Sequence, residues 1–274
     1  MMLTKNPTGI DSLDPVLQGG LPSGSLVLLL GEIGAGDFEF SISSIARLLG
    51  RTRPDSGTIF PYKVCYVSFT RSREDVLREI AFSFPDFYSI IENLMIFKDF
   101  SDAYFARSFI PITWRSSSKT ELTFDSLKWD ETDENLIIGL IDFLDKNAKD
   151  SIVIIDSLTV LAQYCLERME WKDLIIFLQG LQKASKKWEG MVYAMLTDGI
   201  FEKSRQEEIQ ECMDGVMVFE WDKQDMSQRN RIMYLKKFRG VLSLLSQENI
   251  VNFEIRISSQ KGFEVSNIKR VRGR

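Results

Sequence analysis

The chain is 274 residues long, carries a formal net charge of −5 and contains no histidine. That composition excludes imidazole acid–base catalysis, Ser-His-Asp triads and the commonest metal ligand, and its acidic balance is a poor electrostatic match for nucleic acid. Hydrophobic residues at 44% and charged residues at 27% suit one packed α/β domain spanning 1–274 with an ordinary surface.

Turn clusters at Gly19-Gly20 and Pro22-Ser23-Gly24 precede an apolar run over 25–30 that reads as a buried strand. A glycine-rich turn follows at 31–37. Phe38, Ile42, Ile45, Ala46, Leu48 and Leu49 then repeat at helical spacing until the Gly/Pro-rich stretch 50–57. Residues 63–69 predict a second strand. A helix opens at Ser72 and is limited by Pro85, a further helix lies around 88–92, and a short strand covers 94–97. The stretch 99–134 is irregular, with loop-like 116–118 and 129–134 and a β-like piece near 110–114. Helical spacing returns over 135–147, and the unbroken apolar run 151–156 suits a parallel strand covered on both faces.

A helix over 171–188, a strand over 191–196, a short helix over 207–213 and a strand over 215–219 continue the alternation. Strands alone follow at 231–237, 251–257 and 262–265, so a β extension and a basic tail fill 241–274. Alternation first and a meander last predicts an α/β sandwich, a mainly parallel sheet with antiparallel C-terminal strands. Phe82, Phe84, Phe87, Tyr88, Tyr104, Phe105 and Phe109 are expected mostly in the core.

The strand–turn–helix at 25–49 is the setting in which a phosphate-binding loop works, because backbone N–H groups and the helix N-terminus present partial positive charge. Gly31 and Gly36 meet the spacing G-x-x-x-x-G, with Gly34 between them. The loop chemistry then calls for Lys to reach the phosphates and Ser or Thr on Mg²⁺; this chain has Asp37 and Phe38. A carboxylate at a helix start is suited to accept the loop's own N–H groups and to favour the macrodipole, so Asp37 is expected to fill the anion hole from within. Phe38 is expected to pack into the core on the helix's first turn.

Residues 8–14 (Thr-Gly-Ile-Asp-Ser-Leu-Asp), 19–25 (Gly-Gly-Leu-Pro-Ser-Gly-Ser) and 31–36 together resemble the opening of a KaiC/RadA-type domain of the RecA ATPase superfamily, most of all the single-domain KaiC-like proteins of archaea. The resemblance covers nearly the whole chain except 99–134. It implies a RecA-like three-layer sandwich. It also implies that Asp37 replaces the phosphate-loop (Walker A) lysine, Phe38 the magnesium-binding Ser/Thr, and Thr70 and Arg71 the paired glutamates that activate water. Asp156 matches the Walker B aspartate. Lys237-Phe238-Arg239-Gly240 matches an element that reaches a neighbouring subunit's nucleotide, making Lys237 and Arg239 candidate trans contacts.

With Asp37, Phe38, Thr70 and Arg71 all altered, the expectation is a pseudo-ATPase with no catalytic residues, no metal and no cofactor, acting as a regulatory or protein-binding module. Its partner is then a protein or peptide, self or an active paralogue. An ATPase using ATP and Mg²⁺ through non-standard residues is the alternative, and a recombinase-like DNA-binding protein the second alternative. The basic tail at 269–274 weighs for DNA, but the overall acidity weighs more against it. Cys65, Cys165 and Cys212, scattered and without C-x-x-C spacing, predict buried thiols in a reducing compartment. No signal-peptide core or run near ~18 apolar residues is seen, so the expected location is cytoplasmic, with no membrane contact.

Overall fold

The computed structural model describes residues 4–50, 63–106, 108–110, 136–222, 230–239 and 252–267. Two short strands, β1 (Lys5–Asn6) and β2 (Leu21–Pro22), pair antiparallel ahead of the main sheet. The sheet's first strand is β3 (Ser25–Gly31), all seven residues of which are buried. Its remaining strands are β4 (Lys63–Ser68), β5 (Met95–Asp99), β6 (Ser151–Asp156), β7 (Met191–Thr197), β8 (Gly215–Trp221), β9 (Arg231–Phe238), β10 (Phe253–Ser258) and β11 (Gly262–Asn267). The order is β11-β10-β9-β8-β3-β7-β6-β4-β5. From β8 to β5 all neighbours run parallel; β9, β10 and β11 are antiparallel, as the change from alternation to meander predicts.

Because side chains alternate along a strand, β3 serves two cores. Val27 and Leu29 face helices α1 (Asp37–Gly50), α2 (Arg73–Ser83) and α3 (Pro85–Leu94). Leu26, Leu28 and Leu30 face α5 (Leu136–Asn147), α6 (Leu158–Arg168), α7 (Trp171–Trp188) and α8 (Lys203–Glu211), with the one-turn α4 (Ser101–Phe105) beside them. Helices on both faces make the expected three layers. No described helix is long and apolar enough to cross a membrane.

Register sets where the site forms. Gly31 is level with Thr197 on β7 and Phe219 on β8, and Asp156 on β6 is level with Ser68 on β4. The turns after these strands therefore gather at the carboxyl edge of the sheet, where open α/β folds place their sites.

Several elements differ from the sequence reading. Pro85 does more than limit α2: it opens α3, since a missing N–H costs nothing at a first helical position. Helix α6 was not expected. It starts at an N-cap, Ser157, whose Oγ accepts from the Val160 N–H at 3.3 Å, and buries Leu158, Leu161, Ala162 and Cys165. Helix α8 begins at Lys203 instead of 207 because its first turn is polar and shows no apolar period. Within the irregular stretch, 101–105 is helical, while 111–134 lies outside the described residues, as do 269–274. Of the aromatics between 82 and 109, Phe84 is fully buried, but Phe82 and Phe109 are 86% and 93% exposed, against the expectation of core packing.

The hairpin β10–β11 folds against α1. The Phe263 N–H donates to Ser43 Oγ at 2.8 Å and the Val265 N–H to Ser12 Oγ at 2.9 Å, so hydroxyls cap donors on the sheet's last strand. Phe40, fully buried on α1, meets Phe263 edge-on at 5.3 Å, Tyr193 at 5.6 Å and Phe219 at 5.6 Å. It joins the helix after the loop to β7, β8 and β11. Phe40→Ala is expected to cost about 3–5 kcal/mol, the range for truncating a buried aromatic, measured as a drop in the urea midpoint without loss of slope.

Candidate functional site

The loop at 31–36 is pinned from outside. The Glu32 N–H donates to the Phe219 carbonyl at 2.9 Å, and the Ala35 N–H to the Glu32 carbonyl at 2.9 Å, closing a turn. The Glu32 carboxylate accepts the Trp221 N–H at 2.9 Å, while Trp221 Nε1 donates to the Ile33 carbonyl at 3.2 Å. Arg231 Nε donates to the Gly34 carbonyl at 2.9 Å, and its guanidinium stacks over the Trp221 ring at 4.6 Å. On the other side the Asp198 N–H donates to the Gly31 carbonyl at 2.8 Å. Gly34 and Gly36 have φ of +74° and +114°, which an L side chain rarely adopts. Strands β8 and β9 and the turn after β7 thus hold the loop's shape.

Asp37 begins α1 and folds its carboxyl back over Gly31. A Cβ at position 31 would stand 2.7 Å from Asp37 Cγ and 2.9 and 3.0 Å from its two oxygens, so a side chain there would push the carboxyl aside. Backbone hydrogen bonds from Asp37 and Phe38 lower its pKa, as expected for a first-turn carboxylate; burial outweighs them, and with Glu39 and Asp156 adding like charge the pKa is pushed up to about 6. Helix-start donors thus offset only part of the cost of burying the charge.

Phe38 packs half-buried against the core that includes α1, and its ring also carries the Arg71 guanidinium at 5.4 Å. Arg71 lies in the turn after β4, its N–H held by Ser68 Oγ at 2.9 Å. Its side chain bridges Asp156 Oδ2, at 3.4 Å, and Glu79 on α2. The Tyr66 hydroxyl donates to the same Asp156 oxygen at 2.6 Å. Burial raises the Asp156 pKa against the pull of Tyr66 and Arg71, and burial with the Asp156 charge pushes the Tyr66 phenol up. Asp37, Phe38, Arg71 and Asp156 are thus neighbours in one cluster, whereas Thr70 is exposed beside it.

Lys237 and Arg239 lie elsewhere. Lys237 Nζ donates to the Gln210 and Glu211 carbonyls at 3.1 and 2.9 Å and to the Glu211 carboxylate at 2.9 Å. Arg239 reaches the same carboxylate at 3.1 Å. Both cations cap the C-terminus of α8 within their own chain, where the last carbonyls and the helix dipole favour them.

Sequence reasoning missed Tyr66, Glu79, Trp221 and Arg231. Glu79, eight residues after Arg71 on a helix starting at Ser72, was within reach of a charge-pairing argument; Trp221 and Arg231 meet the loop across 188 and 197 residues. Among the described residues no group of three or more His, Cys, Asp or Glu side chains is placed to hold a metal ion. The three cysteines are buried and free, as expected.

Tyr66→Phe removes the buried donor to Asp156, and a hydrogen bond to a charged group is worth about 1.5–3 kcal/mol. Chemical denaturation should show a loss of that size. A double-mutant cycle with Arg71→Met should be non-additive, since both side chains act on one oxygen.

The sequence matches the family described as KaiC ATPase over residues 6–269. It is 38% identical over 81 residues to the circadian clock oscillator protein KaiC of Prochlorococcus marinus (strain MIT 9313), a match covering 30% of this chain and 15% of that protein. The fold is similar to the crystal structure of a KaiC-like protein from the hyperthermophilic archaeon Pyrococcus horikoshii OT3, with a TM-score of 0.65 and 18% identity over 96% of this chain and 99% of that one. The mainly parallel sheet with its antiparallel C-terminal strands is therefore a RecA-like, KaiC-type fold, and the chain belongs to the KaiC ATPase family.

Proposed function

We propose that this chain is a catalytically inactive KaiC-like domain, a regulatory or protein-binding module of the cytoplasm that keeps its phosphate loop as a joint of the fold. The observation that carries this reading is the Asp37 carboxyl folded over Gly31. A carboxylate where phosphate binding requires a cation reverses a charge interaction worth about 4 kcal/mol for unit charges ~4 Å apart at an effective dielectric near 20. The swing from attraction to repulsion is several kcal/mol by the same estimate, enough to remove useful ATP affinity.

The neighbouring residues support the same conclusion. Phe38 offers no oxygen to a metal, and Arg71 takes up Asp156 and Glu79 with its own charge. The residues present do not fit a magnesium nucleotide. Protein contact is favoured by the loop apex, where Ile33 is 83% exposed on a turn held by Trp221 and Arg231, so an apolar side chain is offered from a rigid platform.

Thermal unfolding with and without millimolar ATP, ADP and Mg²⁺ tests the reading. A site at 100 times Kd would add about 2.7 kcal/mol, or roughly 5–10 °C for a protein of this size. The expected shift is under ~1 °C, well below that saturating response. A saturable rise of several degrees would overturn the proposal.

A further inference from the structure

Three of the helices lie side by side over one face of the sheet. Helix α7 packs on β3, α6 on β7, and α5 on β4, where the Cys65 thiol donates to the Asn147 carbonyl at 3.3 Å. Because β3, β7, β6 and β4 are consecutive in the sheet, α6 stands between the other two. Each outer helix buries a leucine stripe, Leu136, Leu140 and Leu144 on α5 and Leu174, Leu178 and Leu181 on α7. Residues half a turn round from these stripes point away from the protein. On α5 they are Ile138, Asp142 and Asp145, and Ile138 is 64% exposed. On α7 they are Lys172, Ile176, Lys183 and Lys187, and Ile176 is 54% exposed. Gly180 completes that face; a Cβ there would meet nothing within 4 Å, which leaves room for a second helix to approach closely.

We propose that these two faces bind each other between two copies of the chain, in a symmetric dimer that lays α5 of one copy on α7 of its partner. The charges fit, since α5 offers acids and α7 offers lysines. The order along the helices fits as well. Helix α5 leads into β6 and α7 into β7, and these strands are parallel, so the two helices run in the same direction. Along that direction isoleucine comes first and charge follows: Ile138 then Asp142 and Asp145, Ile176 then Lys183 and Lys187. Laid parallel, apolar meets apolar and acid meets lysine. A two-fold axis running along α6 makes both contacts at once, carrying each α5 over the other copy's α7. Gln163 and Glu167, which α6 exposes, lie near that axis and meet their own copies, so the attraction comes from the outer helices. Among the described residues Asp145, Lys183 and Lys187 have no ion-pair partner, and Asp142 has Lys146 at 2.7 Å. Three helices about 10 Å apart and about 20 Å long cover on the order of 600 Å² per copy, roughly 1,200 Å² in total, the lower end of stable specific interfaces. The pairing uses no residue of the phosphate loop, so its failure would leave the nucleotide result untouched.

Sedimentation velocity of the full chain from low to high micromolar concentration tests it. The native chain should reach twice the monomer mass and fall back toward the monomer in molar salt, because exposed ion pairs are screened. Asp142→Lys with Asp145→Lys, and separately Lys183→Glu with Lys187→Glu, should each weaken self-association about tenfold or more. Mixed one to one, the two variants should recover the dimer, since acid then opposes lysine at both contacts. Should a variant fail to fold, amide exchange of the native chain decides, with α5 and α7 gaining protection together as concentration rises. A native chain that stays monomeric, its α5 face covered from within or by another protein, would overturn the pairing. So would a dimer indifferent to both variants, a mixture that does not reassociate, or exchange that ignores concentration.

Discussion

The carboxyl of Asp37 lying over Gly31 is the contact on which the rest of this site depends. It starts α1, takes backbone N–H groups of the first helical turn, and occupies the inner side of a loop whose outer side is fixed by Trp221, Arg231 and Asp198. A helix N-terminus leaves its first donors without intrahelical partners, so something must accept from them. In a working phosphate loop that acceptor arrives with the ligand. Here the chain carries an acceptor of its own, at a residue two places before Glu39 and within electrostatic reach of Asp156.

The remaining departures make physical sense together. Placing an acid at position 37 leaves Asp156 facing a like charge, and Arg71 neutralises part of that field from the turn after β4. An arginine at this point needs more than one partner, because a guanidinium has several donors and a large planar face. Glu79 takes further donors and the Phe38 ring takes the face. Residues that look like separate losses along the sequence form one assembly in space, with interior and counter-charges supplied from within the chain.

Much of the fold was legible because it rests on local periodicity. The apolar runs at 25–30 and 151–156 and the helical stripe after residue 38 determine strand and helix directly. Helix α6 was not, because no turn residues separate it from β6 and its apolar residues lie close to the strand in the chain. At the site, the glycine spacing and Asp37 could be read one-dimensionally, and so could the capping geometry. The frustration of the Asp37 charge could not, since it depends on burial and on Asp156, 119 positions away by the chain numbering. Lys237 and Arg239 show the converse: a motif matching a trans contact finds partners at the end of α8 within its own chain.

An inactive phosphate loop of this kind requires that a side chain of the protein hold the position a phosphate would take. A crystal structure grown in saturating ATP and Mg²⁺ tests it most directly. The expected density shows the Asp37 carboxyl over Gly31, Arg71 on Phe38 and Asp156, and no triphosphate in the loop. A triphosphate along 31–36 with Asp37 turned outward would contradict it.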